Sequence, residues 1–383
     1  MSGWTISELS ARLQAGEITS EAIVTESIQR AKASSDQGVY VFLDAEGALA
    51  ASRASDERRK KGMALGALDG IPYALEDRFC TKDMPTENGC RMLEGYRPLY
   101  DAKIVNRLRA EGAILLGKLA TDGFLAGSAP TKHVVSVSKA VADGEIPFAI
   151  CADTGGSAFC ASAEAVVVTR LSDQQSDRFG LIAVAPSFDG VAAVTGNIED
   201  AGLLIDVLSD SAAESLNLHE CQAPRVADLD LLGSLQVASR AYRILSAVET
   251  ASEMALYDGI RFGASTSDVE SVDVRVSKTR GRFFSDDEKK TVLLGTALLM
   301  DGRRESCYLP ARAHREETRR VFDVLLENAD VIRLPFTEGV AFLPSYLGLS
   351  ALLYDGVLLL SNGKNSRLLP DAARSGEGGA YGS

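Results

Sequence analysis

No stretch of this sequence approaches the ~20 apolar residues that a membrane-spanning helix requires. The opening MSGWTISELSARL is polar and lacks the apolar centre of a secretory leader, so a cytoplasmic chain with no membrane contact is expected. Positive charge is scarce: 40 Lys and Arg stand against 53 Asp and Glu, a net of −13, and the longest basic run is ERRKKG at 57–62. Direct binding to nucleic acid or to an anionic bilayer depends on clustered cations and is not expected; that run reads as a solvated helix face. The six cysteines form no CxxC pair and no zinc-ligand spacing, so they are expected as reduced thiols, several of them packed in the core. No cofactor is expected. The 11 prolines gather into no linker and no segment repeats, which points to one domain over residues 1–370 and a disordered tail, rich in Gly and Ser, over 371–383.

What is present reads as alternating helices and strands. Apolar positions three and four apart predict helices over 5–14, 19–33 and 46–60, the first opened by a Thr5–Glu8 capping box, with a short apolar piece at 39–43. Apolar runs predict strands near 71–75, 114–117 and 146–152, with another at 164–168 and a strand, turn and second strand in LIAVAPSFDGVAAVTG, 181–196. A helix is expected over 101–110 and another capped at Asn197; the strongest helical patterns beyond residue 209 are 231–257, 286–300 and 311–328, followed by a strand in ADVIRLP. This order predicts an α/β fold with a central mixed sheet flanked by helices.

The chemistry concentrates in FAICADTGGSAFCASA, residues 148–163. An apolar strand ends at Asp153, Thr154, Gly155 and Gly156, and the next residue is Ser157. Two glycines before a hydroxyl let the backbone turn tightly and aim its N–H groups at whatever the hydroxyl attacks. Ser157 is expected just past the strand, in a turn. It reads either as a nucleophile or as a small residue kept because it fits that turn.

At this motif the chain resembles the amidase signature family. Further matching segments, in family order, are ISELSARLQAGEITSEAIV, LDGIPYALED, YDAKIVNRLRAEGAILLGKLATDGFLAGS, RFGLIAVAPSFDGVAAVTGNIEDAGLL, YDGIRFG and DVIRLP, about three quarters of the chain. The resemblance implies a single α/β domain and amide hydrolysis by a Ser–cis-Ser–Lys triad. It places the nucleophile at Ser157 and the oxyanion hole along the Thr154–Ser157 backbone. The family lysine, seventh from Gly70, is Glu76 here. Counting 24 residues back from Ser157 to the relay serine gives His133, in a loop where glycines have given way to valines. The family arginine two residues after the nucleophile is Phe159.

These replacements remove the family's proton relay. A glutamate does not substitute for a neutral lysine base, because its reference pKa is about six units lower. Glu76, Asp77 and Asp153 are also expected to crowd negative charge into one site. The retained scaffold therefore points to a catalytically degenerate member with a binding, structural or regulatory role in a complex. A protein partner or a homo-oligomer is expected, and a small amide-type ligand fits the site. The alternative is an active hydrolase or amidotransferase-type subunit using another set, with Glu76, His133 and Ser157 as acid, base and nucleophile. Glu76, Asp77, His133 and Asp153 do not have metal-ligand spacing, and no metal is expected. Cys151 and Cys160 read as inert packing, Lys118 as belonging to a different strand end, and His219 and His314 as surface residues.

Overall fold

The structure, a computed structural model, describes residues 4–124, 135–160, 166–209, 223–229, 235–261, 263–266 and 271–376. Ten strands form one sheet: β1 (Tyr40–Leu43), β2 (Pro72–Glu76), β3 (Ile114–Leu119), β4 (Phe148–Thr154), β5 (Val167–Arg170), β6 (Asp189–Thr195), β7 (Val226–Asp228), β8 (Val331–Pro335), β9 (Ser350–Tyr354) and β10 (Val357–Ser361). Their spatial order is β1-β3-β2-β4-β6-β5-β9-β10-β8-β7. β2 runs parallel to β3 and β4, and β7 parallel to β8, while the remaining pairs are antiparallel, so the sheet is mixed as expected.

Every residue of β4 and β6 is buried, which explains why their centres, FAICA and VAAV, are continuous apolar runs rather than alternating. The alternation survives in which core each residue joins. Phe148, Ile150 and Ala152 pack with Tyr73 and Leu75 on one face, and the Tyr73 and Phe148 rings stack 5.3 Å apart. Ala74, Ala149 and Cys151 pack on the other face with Ala158 and Phe159. With a period of two, Glu76 and Asp153 fall on this second face. Helices cover both sides, making a single α/β domain. Thr5, Thr19 and Asn197 accept N–H groups from the first turns that follow them, which fixes those helix starts where the sequence placed them.

Several expectations need correction. Residues 181–185 form no strand beyond one bridge between Phe79 and Leu181, because the N–H groups of Val184 and Ala185 are taken by the Asp189 carboxylate. The strand expected at 164–168 is β5, described over Val167–Arg170. The 57–62 run is not wholly solvated, since Arg58 pairs with Asp69 and Arg59 reaches the Asp69 carbonyl. The chain does not lose regular structure at 371: the helix Leu369–Gly376 packs Leu369 and Ala372 into an apolar cluster, and 377–383 lie outside the described residues. His314 is half-buried, its Nδ1 3.1 Å from the Tyr346 hydroxyl, and His219 lies outside the described residues.

The helix Leu235–Met254 crosses the helix Asp286–Leu298 at Gly295, where an added Cβ would lie 2.2 Å from the Ala247 carbonyl oxygen and 2.5 Å from the Ala251 methyl. Gly281, in the exposed helix Val272–Phe283, has nothing within 4 Å of such an atom. Alanine therefore acts oppositely at the two glycines, although both are helical. Gly281→Ala is expected to stabilise by about 0.5–1 kcal/mol through propensity, whereas Gly295→Ala loses about 1–3 kcal/mol to overpacking. Urea unfolding of both variants checks the pair; a stabilised Gly295→Ala would contradict the close crossing.

Candidate active site

Ser157 is the first residue of a single short helix, Ser157–Cys160, rather than a turn residue. Gly155 and Gly156 precede it with φ of 69° and 87°, values that L side chains resist. Both are also enclosed. A Cβ on Gly155 would meet the Tyr242 hydroxyl at 1.9 Å, and one on Gly156 would meet the Ala341 carbonyl oxygen at 2.3 Å.

Two N–H groups of this turn are already bonded within the chain. Thr154 donates to Ser157 Oγ at 3.2 Å and Gly155 donates to Ser345 Oγ at 2.9 Å. The Asp153 carboxylate accepts from Ala158 at 3.2 Å, and the nearby Gly156 N–H helps to lower its pKa. Ser345 is held in turn by donating to the Phe188 carbonyl at 2.6 Å. An oxyanion hole stabilises developing charge with N–H donors that are free to receive it. Here two successive donors, at Thr154 and Gly155, are bonded to internal acceptors.

Buried charges fix the turn from below. Arg170 Nε lies 3.1 Å from Asp153 Oδ2, both side chains fully buried, as an ion pair without the alignment of a hydrogen bond. Arg78 donates to Thr154 Oγ1 at 3.0 Å and to Asp189 Oδ1 at 3.1 Å, while Thr154 donates to the same Asp189 oxygen. Burial still pushes the Asp153 carboxyl above its ordinary value, against the pull of Arg170. Arg78, Arg170 and Ser345 escaped the sequence reading. Arg170 stands where no motif marks it, and Ser345 lies 190 positions from its partner.

Glu76 closes β2 on the same face as Asp153. Thr121 Oγ1 donates to its Oε1 at 2.6 Å and the Ala152 N–H to its Oε2 at 2.6 Å, so both carboxyl oxygens are engaged. Burial pushes the Glu76 pKa up, opposed chiefly by Arg78. Asp77 does not join it: its carboxylate meets Lys118 Nζ at 3.2 Å, and Lys118 also donates to the Phe79 carbonyl and the Thr86 hydroxyl. The expected crowding of three carboxylates is thus relieved, with Asp77 on Lys118 and Asp153 on Arg170.

Glu76 and Ser157 wall one cavity of about 20 Å³, together with Ser138, Cys151, Val137 and Val194. That is room for about one water molecule. Ser138, on the helix Val135–Ala142, was missed in the sequence because counting back from Ser157 leads to His133. His133 lies outside the described residues. Phe159, at the family's arginine position, is fully buried in the core. Burial raises the Cys151 thiol well above its ordinary value and the half-buried Cys160 to about 11, as inert thiols require. Among the described residues no three His, Cys, Asp or Glu side chains stand close enough to hold a metal ion.

Because the folded state raises the Glu76 pKa, it binds this proton more tightly than the unfolded chain does. The associated stability is fully present below the unfolded pKa and is lost as pH rises through the folded value. Glu76→Gln keeps an acceptor for Ala152 and a polar partner for Thr121 without titrating. The variant is expected to gain stability relative to wild type as pH rises from the ordinary carboxylate range to neutrality. Unfolding free energies measured across that range test this, and a pH-independent difference would contradict it.

The family model for Amidase matches residues 22–139. A glutamyl-tRNA(Gln) amidotransferase subunit of Anaeromyxobacter sp. (strain K) is 30% identical over 404 residues, covering 88% of this chain and 81% of the relative. Among solved structures, an amidase superposes with a TM-score of 0.77 at 23% identity, over 96% of this chain and 98% of the other. A chain from a vestigial protein complex that reveals the evolutionary origins of an s-triazine catabolic enzyme superposes with a TM-score of 0.79 at 18% identity, over 98% of each chain. The strand order, the glycine turn before Ser157 and these likenesses agree: the chain belongs to the amidase signature family.

Proposed function

We propose that this chain has left the family's hydrolytic mechanism and works as a binding or regulatory subunit. The observation that carries the reading is the state of the expected oxyanion hole, whose N–H groups at Thr154 and Gly155 are spent on Ser157 and Ser345. Three further features support it. Glu76 stands in place of the lysine base with both oxygens engaged. The space in front of Ser157 is about 20 Å³, against the ~300 Å³ or more of ordinary ligand pockets. Phe159 fills the core where the family carries arginine.

A protein partner belongs to this proposal, because curated relatives are named as amidotransferase subunits and one protein of like fold was solved in a complex. Direct nucleic-acid binding does not, given a net charge of −13. Among the described residues no helix is long and apolar enough to cross a membrane.

One observation favours a hydrolytic alternative: Glu76, Ser138 and Ser157 share a cavity, in the chain order of the family's lysine, relay serine and nucleophile. A serine hydroxyl without an oriented base is a weak nucleophile, and that is the state proposed here. A fluorophosphonate probe is therefore expected to leave Ser157 unlabelled at neutral pH. Ser157→Ala, which removes the acceptor of the Thr154 N–H, is expected to cost only about 1 kcal/mol of stability. Labelling that disappears in Ser157→Ala and also in Glu76→Gln or Ser138→Ala would establish the alternative and end the proposal.

A further inference from the structure

A second cavity lies on the outer side of the glycine turn. The first turns of the helix 235–254 and the loop 337–340 enclose a surface cleft of about 350 Å³, within the ~300–1,000 Å³ of small-molecule sites. Arg240 and Arg243 stand on one wall, three residues apart on the same helix face. Both are exposed. Arg225, Arg319, Arg333 and Arg367 each meet a carboxylate. No carboxylate among the described residues pairs with Arg240 or Arg243. In a chain with 13 more acidic than basic residues, two neighbouring guanidiniums left unpaired in one cleft suit an anion from outside. Guanidinium matches the planar carboxylate with paired hydrogen bonds.

The rest of the lining narrows the ligand. Leu235 and Val340 supply apolar contact, while Ser239 and Thr337 supply hydroxyls. We infer that this cleft binds a small aliphatic dicarboxylate, its two charged ends on Arg240 and Arg243 and its carbon spine against Leu235 and Val340. The walls of the cleft are adjoined in sequence by the residues that hold the fixed turn. Tyr242, between the two arginines in sequence, points inward against Gly155, and Ala341, next to Val340, caps Gly156. A ligand there would brace the helix and the loop that hold the turn shut. The inference does not depend on whether Ser157 is active.

The test is calorimetric titration of the full chain with succinate, glutarate and adipate at low ionic strength, with inorganic phosphate and the neutral diamide glutaramide as controls. At least one dicarboxylate is expected to bind one to one, with glutaramide silent. Arg240→Gln/Arg243→Gln is expected to weaken that binding at least tenfold while its melting temperature without ligand stays at the wild-type value; Arg374→Gln, an exposed arginine elsewhere, leaves binding unchanged. Ser157→Ala also leaves it unchanged, which separates this cleft from the cavity at Ser157. The assignment is overturned if none of the three dicarboxylates binds, if phosphate binds and they do not, if glutaramide binds equally, or if the double variant binds as wild type does. Binding lost in Ser157→Ala would overturn it too, by placing the ligand at the serine.

Discussion

The buried ion pair between Asp153 and Arg170 is the contact on which the site's shape depends. Both side chains are fully buried, and a buried charge deprived of its partner costs several kcal/mol. Asp153 must therefore stay on Arg170, and in doing so it presents its carboxylate to the N–H group of Ala158. That requirement forces the chain leaving β4 through two left-handed glycines. Arg78 and Asp189 repeat the arrangement one residue on, fastening Thr154 from the opposite side. The turn is held by charge beneath and by Tyr242 and Ala341 above.

Within such a turn, and on the function proposed, Glu76 and Phe159 in place of the expected lysine and arginine form a consistent set. Phe159 brings no charge after Ser157, and Arg170 supplies a cation to Asp153 from β5, on the far side of β6. Glu76 brings no cation either, and its carboxyl is satisfied by Thr121 and by β4 itself, through Ala152. A carboxyl with raised pKa and two donors is a structural clamp between β2, β4 and the end of β3. It holds the strand ends together where a neutral lysine base would need to approach a serine. The donors and acceptors of the site face one another.

Much of this was legible in the sequence, and the gaps have physical causes. β2, β3 and β4 were marked by apolar runs that end in glycine or charged punctuation, and Asn197 by its cap. The hairpin of β9 and β10 was missed although LLYDGVLLLS carries an Asp-Gly turn between two apolar runs; Asp355 and Gly356 take φ of 46° and 71° there. Ser157 and Glu76 were found because a motif fixes their distance along the chain. Ser345, Arg170 and Ser138 were not, because each meets the site through a fold contact that no local spacing encodes. Asp77 was assigned to the wrong neighbourhood: it is adjacent to Glu76 in sequence, but a strand end sends successive side chains to opposite sides, and Lys118 waits on the other one.

The central claim is that Ser157 no longer attacks amides. Ammonia release from glutamine, acetamide and an amino-acid amide, compared between the wild-type chain and Ser157→Ala at equal concentration, tests it most directly. Equal rates, indistinguishable from buffer, are expected; release by the wild-type chain that vanishes with the Ser157 hydroxyl would contradict it.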